Sequence, residues 1–242
     1  ELVRLIRDNF DCPISIDSLN VNEIKAAVDA GVDLVLSITA DNLSSLKDIP
    51  KDISLVVVPV EDSKKETTVN GRMAKVVMIG NRLNVAGYKK ILLDPVLDPA
   101  FKPGLSESLE TYFLLSDAIH SIPTSDLTPM TFMGIGNVTE LTDSDSQGIN
   151  TILTILAVEN GVAGILTTEY SNKVRGSIKE LRNAIDLAYW AKIKNQAPIN
   201  LGINAFRAKG KQKYARSNYQ DFDNAEIIEL NDEDNQPIEL DK

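Results

Sequence analysis

The feature that most constrains this chain is a rhythm in its apolar residues, where short continuous runs alternate with longer segments of helical period. Pro13–Asp17 is a strand-like run, and Val21, Ile24, Ala27 and Val28 follow it with the spacing of one helix face. Gly31 supplies the C-terminal stop, since glycine enters the left-handed region without a Cβ penalty. Asp33–Ile38 and Leu55–Val60 read as the next strands, and 72–89 as a helix interrupted by Gly80 and Gly87. Ile91–Asp94 is a strand ending in Asp-Pro, Leu105–Ser121 a helix, and Met130–Gly134 a strand. Ile149, Ile152, Leu153 and Leu156 mark a helix face stopped by Gly161, and Val162–Thr167 is the last clear strand. Ser177, with Glu180 three residues on, makes a capping box for a helix through Asn195.

Strands that are apolar throughout, rather than alternating, are buried on both faces, as in parallel sheets covered by helical crossovers. Six βα units fit between Pro13 and Asn195. Two architectures accommodate them: a (β/α)₈ barrel whose first two strands lie upstream of Glu1, or an open, doubly wound sheet. A first residue that is not Met favours the truncated barrel. Residues 1–200 are therefore expected to form a partial barrel. Residues 201–242 form an appended polar segment, in which Ile227–Leu230 and Pro237–Leu240 are expected to pair as a β-hairpin.

Composition narrows the partners. A formal net charge of −10 argues against nucleic acid, whose affinity rests on Lys and Arg releasing counterions. No run approaches the roughly 20 apolar residues of a membrane helix, so no membrane is expected as a partner. The single cysteine, Cys12, cannot form an internal disulfide, which fits a cytoplasmic protein.

Ligands of parallel α/β folds bind beyond the C-terminal ends of the strands, and polarity gathers there. The first strand ends Ser15-Ile16-Asp17-Ser18, and the strand at 91 ends Asp94-Pro95. The next ends Gly134-Ile135-Gly136-Asn137-Val138-Thr139-Glu140, and the last Thr167-Thr168-Glu169. Asp17 could cap the following helix, but Asn20 is better placed for that. Asp94 could merely open a turn before Pro95. Asp143 and Asp145 precede a helix, where capping suits them better than a metal, and no metal is expected. The only histidine, His120, falls at a helix C-terminus, where it can hydrogen-bond the last carbonyls. Lys173, Arg175 and Ser177 lie where barrels often hold a phosphate; they read equally as a phosphate-binding loop or as ordinary surface charge.

These residues resemble the pterin-binding barrel of the dihydropteroate synthase superfamily. Pro13-Ile14-Ser15-Ile16-Asp17-Ser18 with Ala30-Gly31-Val32-Asp33 and the strand after it looks like the third and fourth strands. Ile91-Leu92-Leu93-Asp94-Pro95 resembles the sixth, and Gly134-Ile135-Gly136-Asn137-Val138-Thr139 the seventh. The likeness runs over residues 10–195 and is greatest to the synthase-related proteins of methanogenic archaea. It implies a barrel containing strands three to eight, and a reduced pterin, of folate or tetrahydromethanopterin type, as substrate or cofactor. It implies that Asp17 and Asp94 contact the pterin, with Ser37 and Glu169 beside them, and that Asn137 lies near N5 as the catalytic group.

The departures bear on the reaction. The strand-four asparagine of the family falls on Leu36, the synthase's lysine on Val138, and its last-strand arginine and histidine near Thr167 and Glu169. A synthase must stabilise an anionic pyrophosphate leaving group, and those cations are missing. The resemblance therefore favours methyl transfer, with a corrinoid protein as partner, over the synthase condensation with an arylamine. A non-catalytic pterin-binding domain of a larger protein is the third expectation. The superfamily's habit of pairing suggests a homodimer.

Overall fold

The computed structural model describes residues 1–46, 48–62, 64–99, 104–123, 128–138 and 146–167. The expectations for Asp143, Asp145, Glu169, Lys173, Arg175, Ser177, the helix through Asn195 and the hairpin beyond 201 lie outside the described residues. In chain order the elements are α1 (Leu2–Asn9), β1 (Ser15–Asp17), α2 (Val21–Asp29), β2 (Leu34–Ile38) and a short 3₁₀ turn (Leu43–Leu46). Then come β3 (Ser54–Val57), β4 (Val60–Glu61), β5 (Lys64–Lys65), α3 (Val69–Val85) and β6 (Ile91–Leu93). The series ends with α4 (Leu105–His120), β7 (Met130–Gly134), α5 (Ser146–Glu159) and β8 (Gly164–Leu166).

β1, β2, β3, β6, β7 and β8 form one sheet in that order, and every pairing is parallel. Spatial order equals chain order. A doubly wound sheet would reverse direction partway, so the winding is that of a half-barrel and the doubly wound alternative is excluded for the described strands. Register assigns the faces. Leu34, Leu36, Val56, Leu92 and Phe132 point to the concave side, where they form one apolar cluster. Val35, Leu55, Val57, Ile91 and Leu93 point the other way, into the larger core with Ile24 of α2 and Val76, Ile79 and Leu83 of α3. Met133 joins Tyr112 of α4 and Leu153 and Ala157 of α5 in the adjoining core.

Local chemistry sets the element ends. Asn20 caps α2 by accepting from the Asn22 N–H, as its position suggested. Thr68 accepts from the Gly71 N–H to open α3. Gly31, Gly87 and Gly161 stand just past α2, α3 and α5 with φ of 95°, 94° and 74°. At the foot of the sheet Arg7 of α1 donates to the Cys12 and Gly31 carbonyls and to Asp33 Oδ2, 2.5 Å away. The same oxygen accepts from the Ile14 N–H, and that bond first, then Arg7, lowers the Asp33 pKa.

Three expectations need correcting. Gly80 does not interrupt its helix, because α3 runs unbroken from Val69 to Val85 with Gly80 buried against β6. Leu55–Val60 is not one strand, since β3 stops at Val57 and Val60 turns into the β4–β5 hairpin. Ile152 is 60% exposed, whereas Leu153 beside it is buried, so the apolar face of α5 is narrower than its sequence suggests.

Gly80 is a packing requirement. A Cβ there would come 3.0 Å from Leu93 Cδ2 and 3.7 Å from Ile91 Cγ2. Gly80→Val is expected to lower the unfolding free energy by about 1–3 kcal/mol through overpacking, read from urea denaturation. An unchanged midpoint would show that Leu93 yields without cost.

Candidate functional site

Parallel strands place all their C-terminal ends on one rim, and Asp17, Ser37, Asp94, Asn137 and Thr167 all stand there. Asp17 pairs in register with Leu36 and so lies on the concave face, exposed, at the end of β1. Its Oδ1 accepts from the Ser37 hydroxyl at 2.9 Å. That contact is not what strict alternation along β2 would give, because Leu36 already points inward. The β2–β3 register shifts between Val35 and Ile38, where three residues of β2 advance against two of β3. Ser37 takes the irregular place with φ of 66°. A bulge of this kind re-aims a side chain, here a hydroxyl toward a carboxylate. The loop behind it is held by buried Asn42, whose Oδ1 accepts from Thr39 N and whose Nδ2 donates to the Ser37 carbonyl at 3.1 Å. A small cleft lined by Leu19, Val21, Thr39, Asp41, Asn42 and Val60 adjoins this loop.

Asp94 extends β6 by one ladder bond, its N–H donating to the Val57 carbonyl, and is 7% exposed. Its Oδ1 accepts from the Val96 N–H at 2.8 Å and from the hydroxyl of fully buried Tyr112. Val96 has φ of 68°, a severe conformation for a β-branched residue. Arg72 on α3, with no exposed surface, holds it there. Nη1 donates to the Pro95 and Val96 carbonyls at 3.2 and 2.6 Å, Nη2 to Asp98 Oδ2 at 2.5 Å, and Nε to the Glu66 carbonyl at 2.8 Å. Left-handed backbone at residues other than glycine costs on the order of 1–3 kcal/mol and persists only where the surroundings over-determine it. Both rim loops meet that condition.

Asn137 lies in a helical turn at 136–138 directly after β7 and is exposed. Its carboxamide folds back over Gly134, where a Cβ would meet Nδ2 at 3.5 Å. Gly134 continues the concave-facing series of Phe132, so Asn137 overlies the mouth of the arc. It stands one strand from Asp94. Asp17 is three strand spacings from Asp94, about 14 Å along the curve.

The departures also have places. Leu36 plugs the concave face with Val56 and Phe132. Val138 is buried among Leu97, Tyr112, Met133 and Ile135, on the helix side rather than in the mouth. Thr167 follows β8 with its hydroxyl 3.5 Å from Asn150 Nδ2. His120 uses Nδ1 on the Ser116 carbonyl, 2.7 Å away, as expected of a helix end. Among the described residues, no group of three or more His, Cys, Asp or Glu could hold a metal ion. No helix among them is long and apolar enough to cross a membrane.

Arg72 and Tyr112 were not singled out in the sequence. Tyr112 falls at a helical core spacing, and Arg72 reads as an ordinary charge in a helix. Only their separation of 18 to 26 residues from the Asp94 loop, closed by the fold, shows their use.

No family model matches the chain. An uncharacterized protein of Methanocaldococcus jannaschii is 32% identical over 243 residues, which span 99% of this chain and 45% of that protein. The chain thus covers less than half the length of that relative. Among solved structures it is similar to Yersinia pestis dihydropteroate synthase with a pterine–sulfa conjugate (17% identity, TM-score 0.57, covering 78% of this chain and 73% of that one). It is also similar to the Coxiella burnetii synthase in complex with pteroic acid (17%, TM-score 0.56, 78% and 70%). The Thermus thermophilus synthase in complex with 6HMPPP is a third (17%, TM-score 0.57, 75% and 72%). The fold of this chain is the one those dihydropteroate synthases share.

Burial, then the charge of Asp94 and the hydrogen bond to it, push the Tyr112 hydroxyl well above its ordinary value of 10.0. A raised folded-state pKa gives stability that is complete below the unfolded value and is lost as pH rises through the folded one. Wild-type stability should therefore fall above about pH 10, and Tyr112→Phe should flatten that fall. Urea midpoints between pH 8 and 11 check this, and parallel curves for the two proteins would contradict it.

Proposed function

We propose that the rim is a pterin pocket, that the ligand is a reduced folate or tetrahydromethanopterin, and that the chemistry is methyl transfer. The observation that supports this best is the rim's composition. A buried carboxylate, Asp94, is held by a phenol and a backbone amide one strand away from the exposed carboxamide of Asn137. The fold is shared with synthases crystallised with pterin-bearing ligands. In this reading Asp94 and Asp17 accept hydrogen bonds from the amino and imino N–H groups of the ring. Ser37 and Glu169 line the same pocket. Lys173, Arg175 and Ser177 hold a phosphate or other anionic group of the ligand. The six strands are then the third to eighth of a barrel that two further βα units complete, and 201–242 is an appended segment.

Asn137 is assigned the catalytic role. A methyl group leaves N5 readily only when N5 carries a positive charge, so that the bonding pair returns to nitrogen and a neutral amine departs. A carboxamide oxygen can accept the N5–H of that cation without holding a charge of its own. The methyl group passes to a nucleophile, for which a corrinoid protein is the partner in this reading, with the barrel acting as a cytoplasmic homodimer.

The synthase reaction is less well supported. It needs cations for the pyrophosphate, but at the family's own cation positions Val138 faces the core and Thr167 is a neutral hydroxyl, and Arg175 would have to substitute from its loop by a different geometry. Arg72, the cation packed against the Asp94 loop, is already engaged by Asp98 and three carbonyls. Leu36 in the concave cluster favours the remaining reading, a pterin-binding domain without catalysis.

Calorimetric titration of the intact protein with methyl-tetrahydrofolate and methyl-tetrahydromethanopterin tests the shared premise, and saturable binding of one of them is expected. Absence of binding to both would refute the pocket. Asn137→Ala is expected to slow methyl transfer to cob(I)alamin by about 100-fold while changing pterin affinity by less than about threefold. Binding with no transfer in the wild type would leave the non-catalytic reading. Product from the hydroxymethyl-dihydropterin pyrophosphate and an arylamine would establish the synthase instead.

A further inference from the structure

Of the three described residues other than glycine with positive φ, Asp62 turns the β4–β5 hairpin, where such a conformation is ordinary. The other two, Ser37 and Val96, each stand beside one of the rim carboxylates. Each also sits in the same arrangement. The residue's own donor reaches the carboxylate: the Ser37 hydroxyl to Asp17 Oδ1 at 2.9 Å, and the Val96 N–H to Asp94 Oδ1 at 2.8 Å. Its carbonyl is gripped from behind by a buried side chain: Asn42 Nδ2 on Ser37 at 3.1 Å, and Arg72 Nη1 on Val96 at 2.6 Å. Asn42 is 4% exposed and Arg72 fully buried. The two loops share no sequence pattern, since one is Ser-Ile-Thr and the other Asp-Pro-Val.

We propose that Asn42 and Arg72 are positioning residues that lock Ser37 and Val96 in strained backbone, so that each turns its donor onto a ligand-binding carboxylate, Asp17 or Asp94.

The physical case is directional. A carboxylate at a strand end rotates freely about two side-chain bonds, and a ligand must then stop that rotation on binding. A donor fixed in the backbone stops it in advance, and the ordering cost is met in folding rather than in binding. Neither donor would stay in place without its grip. In β2, relaxing Ser37 to extended backbone would restore the regular register and turn the hydroxyl away from the Asp17 face. After β6, relaxing Val96 would swing its N–H off Asp94. Arg72 prevents this by tying the Pro95 and Val96 carbonyls and Asp98 to α3. Tyr112, from α4, holds Asp94 Oδ1 from the other side. Strain at both places is therefore expected to be tied to ligand recognition, and removing it should stabilise the protein while weakening the site.

The inference rests on the pterin reading for the ligand used in one arm of its test, and the other arm needs no ligand. Ser37→Gly and Val96→Gly relieve the strain, and each is expected to raise Tm by about 2 °C or more in the full chain. Ser37→Ala keeps the strain and loses the hydroxyl, so it should give no such rise. Asn42→Asp keeps the acceptor for Thr39 N–H and loses the donor to Ser37. In that background the Ser37→Gly gain is expected to vanish, as coupled residues require. For Val96 the matching background is Arg72→Lys. If that variant does not fold, Asp98→Asn, which weakens the grip on the loop, replaces it. A Tm that is unchanged or lowered by both glycine substitutions, or gains that persist in the Asn42→Asp background, would overturn the proposal.

In the ligand arm, Ser37→Ala, Ser37→Gly and Val96→Gly are each expected to weaken methyl-tetrahydropterin binding at least about threefold. Wild-type binding with undiminished affinity in all three variants would overturn the positioning role while leaving the pocket intact. No binding by the wild type would instead count against the pterin reading, and the thermal cycle would still decide whether the grips act as described.

Discussion

The rim depends on one buried charge. Arg72 has no exposed surface, and a guanidinium so placed is tolerated only if its N–H groups find partners. Four hydrogen bonds, one of them the ion pair with Asp98, meet that demand, and in doing so they fix three things at once. The Glu66 carbonyl ties down the connection into α3. The Pro95 and Val96 carbonyls set the path of the chain leaving β6. Asp98 holds the start of the run toward α4. Removing one partner of a buried pair typically costs about 3–5 kcal/mol, far more than an exposed pair contributes, because the other charge is stranded. By contrast Lys75 and Glu61, paired at 2.6 Å with Glu61 half exposed, can add little. The Asp94 loop is thus among the most strongly determined parts of the chain, although it has no regular secondary structure.

The rim pairs rigidity with polarity in an uneven way. On the β6 side Asp94, Tyr112, Val96 and Arg72 form a buried network whose members constrain one another. On the β1–β2 side Asp17 is exposed, and its partner Ser37 is half-buried, so solvent competes for the same lone pairs. Between them Leu36 and Val56 make the concave floor apolar. A flat ring seated there would meet hydrophobic surface below and carboxylates at two edges. The floor supplies burial and the edges supply orientation, which is the usual division in small-molecule sites.

Much of the architecture was legible because strand and helix periods differ, although the β2–β3 crossover carries only a 3₁₀ turn and the β3–β6 crossover adds a hairpin before its helix. Met130–Gly134 appears at the bounds its residues suggested, and Asn20 caps the helix it was placed before. Strand-end polarity also located Asp17, Asp94 and Asn137 on one rim. The misses have a common cause, which is that a single element's sequence does not carry its tertiary partner. Gly80 looks like a helix breaker until Leu93 is seen to need the space. α1 is only eight residues long and is secured by Arg7 reaching a carboxylate 26 positions away. The bulge at Ser37 leaves no mark in the residue string, since Leu-Ser-Ile alternates as an ordinary strand would.

Aligned by sequence alone, Leu36 stands where the family resemblance expects a polar side chain, and the site looks weakened. The bulge changes the count. It puts Leu36 and the Ser37 hydroxyl on the same concave side, so one strand end delivers an apolar floor residue and a polar contact where a regular strand would deliver one of them. The hydroxyl, however, addresses Asp17 rather than acting alone. Polarity absent at one position is therefore not simply replaced at the next, because the Ser37 hydroxyl is engaged in orienting the Asp17 carboxylate. The strand end thus keeps its carboxylate and gives the neighbouring place to an apolar floor residue.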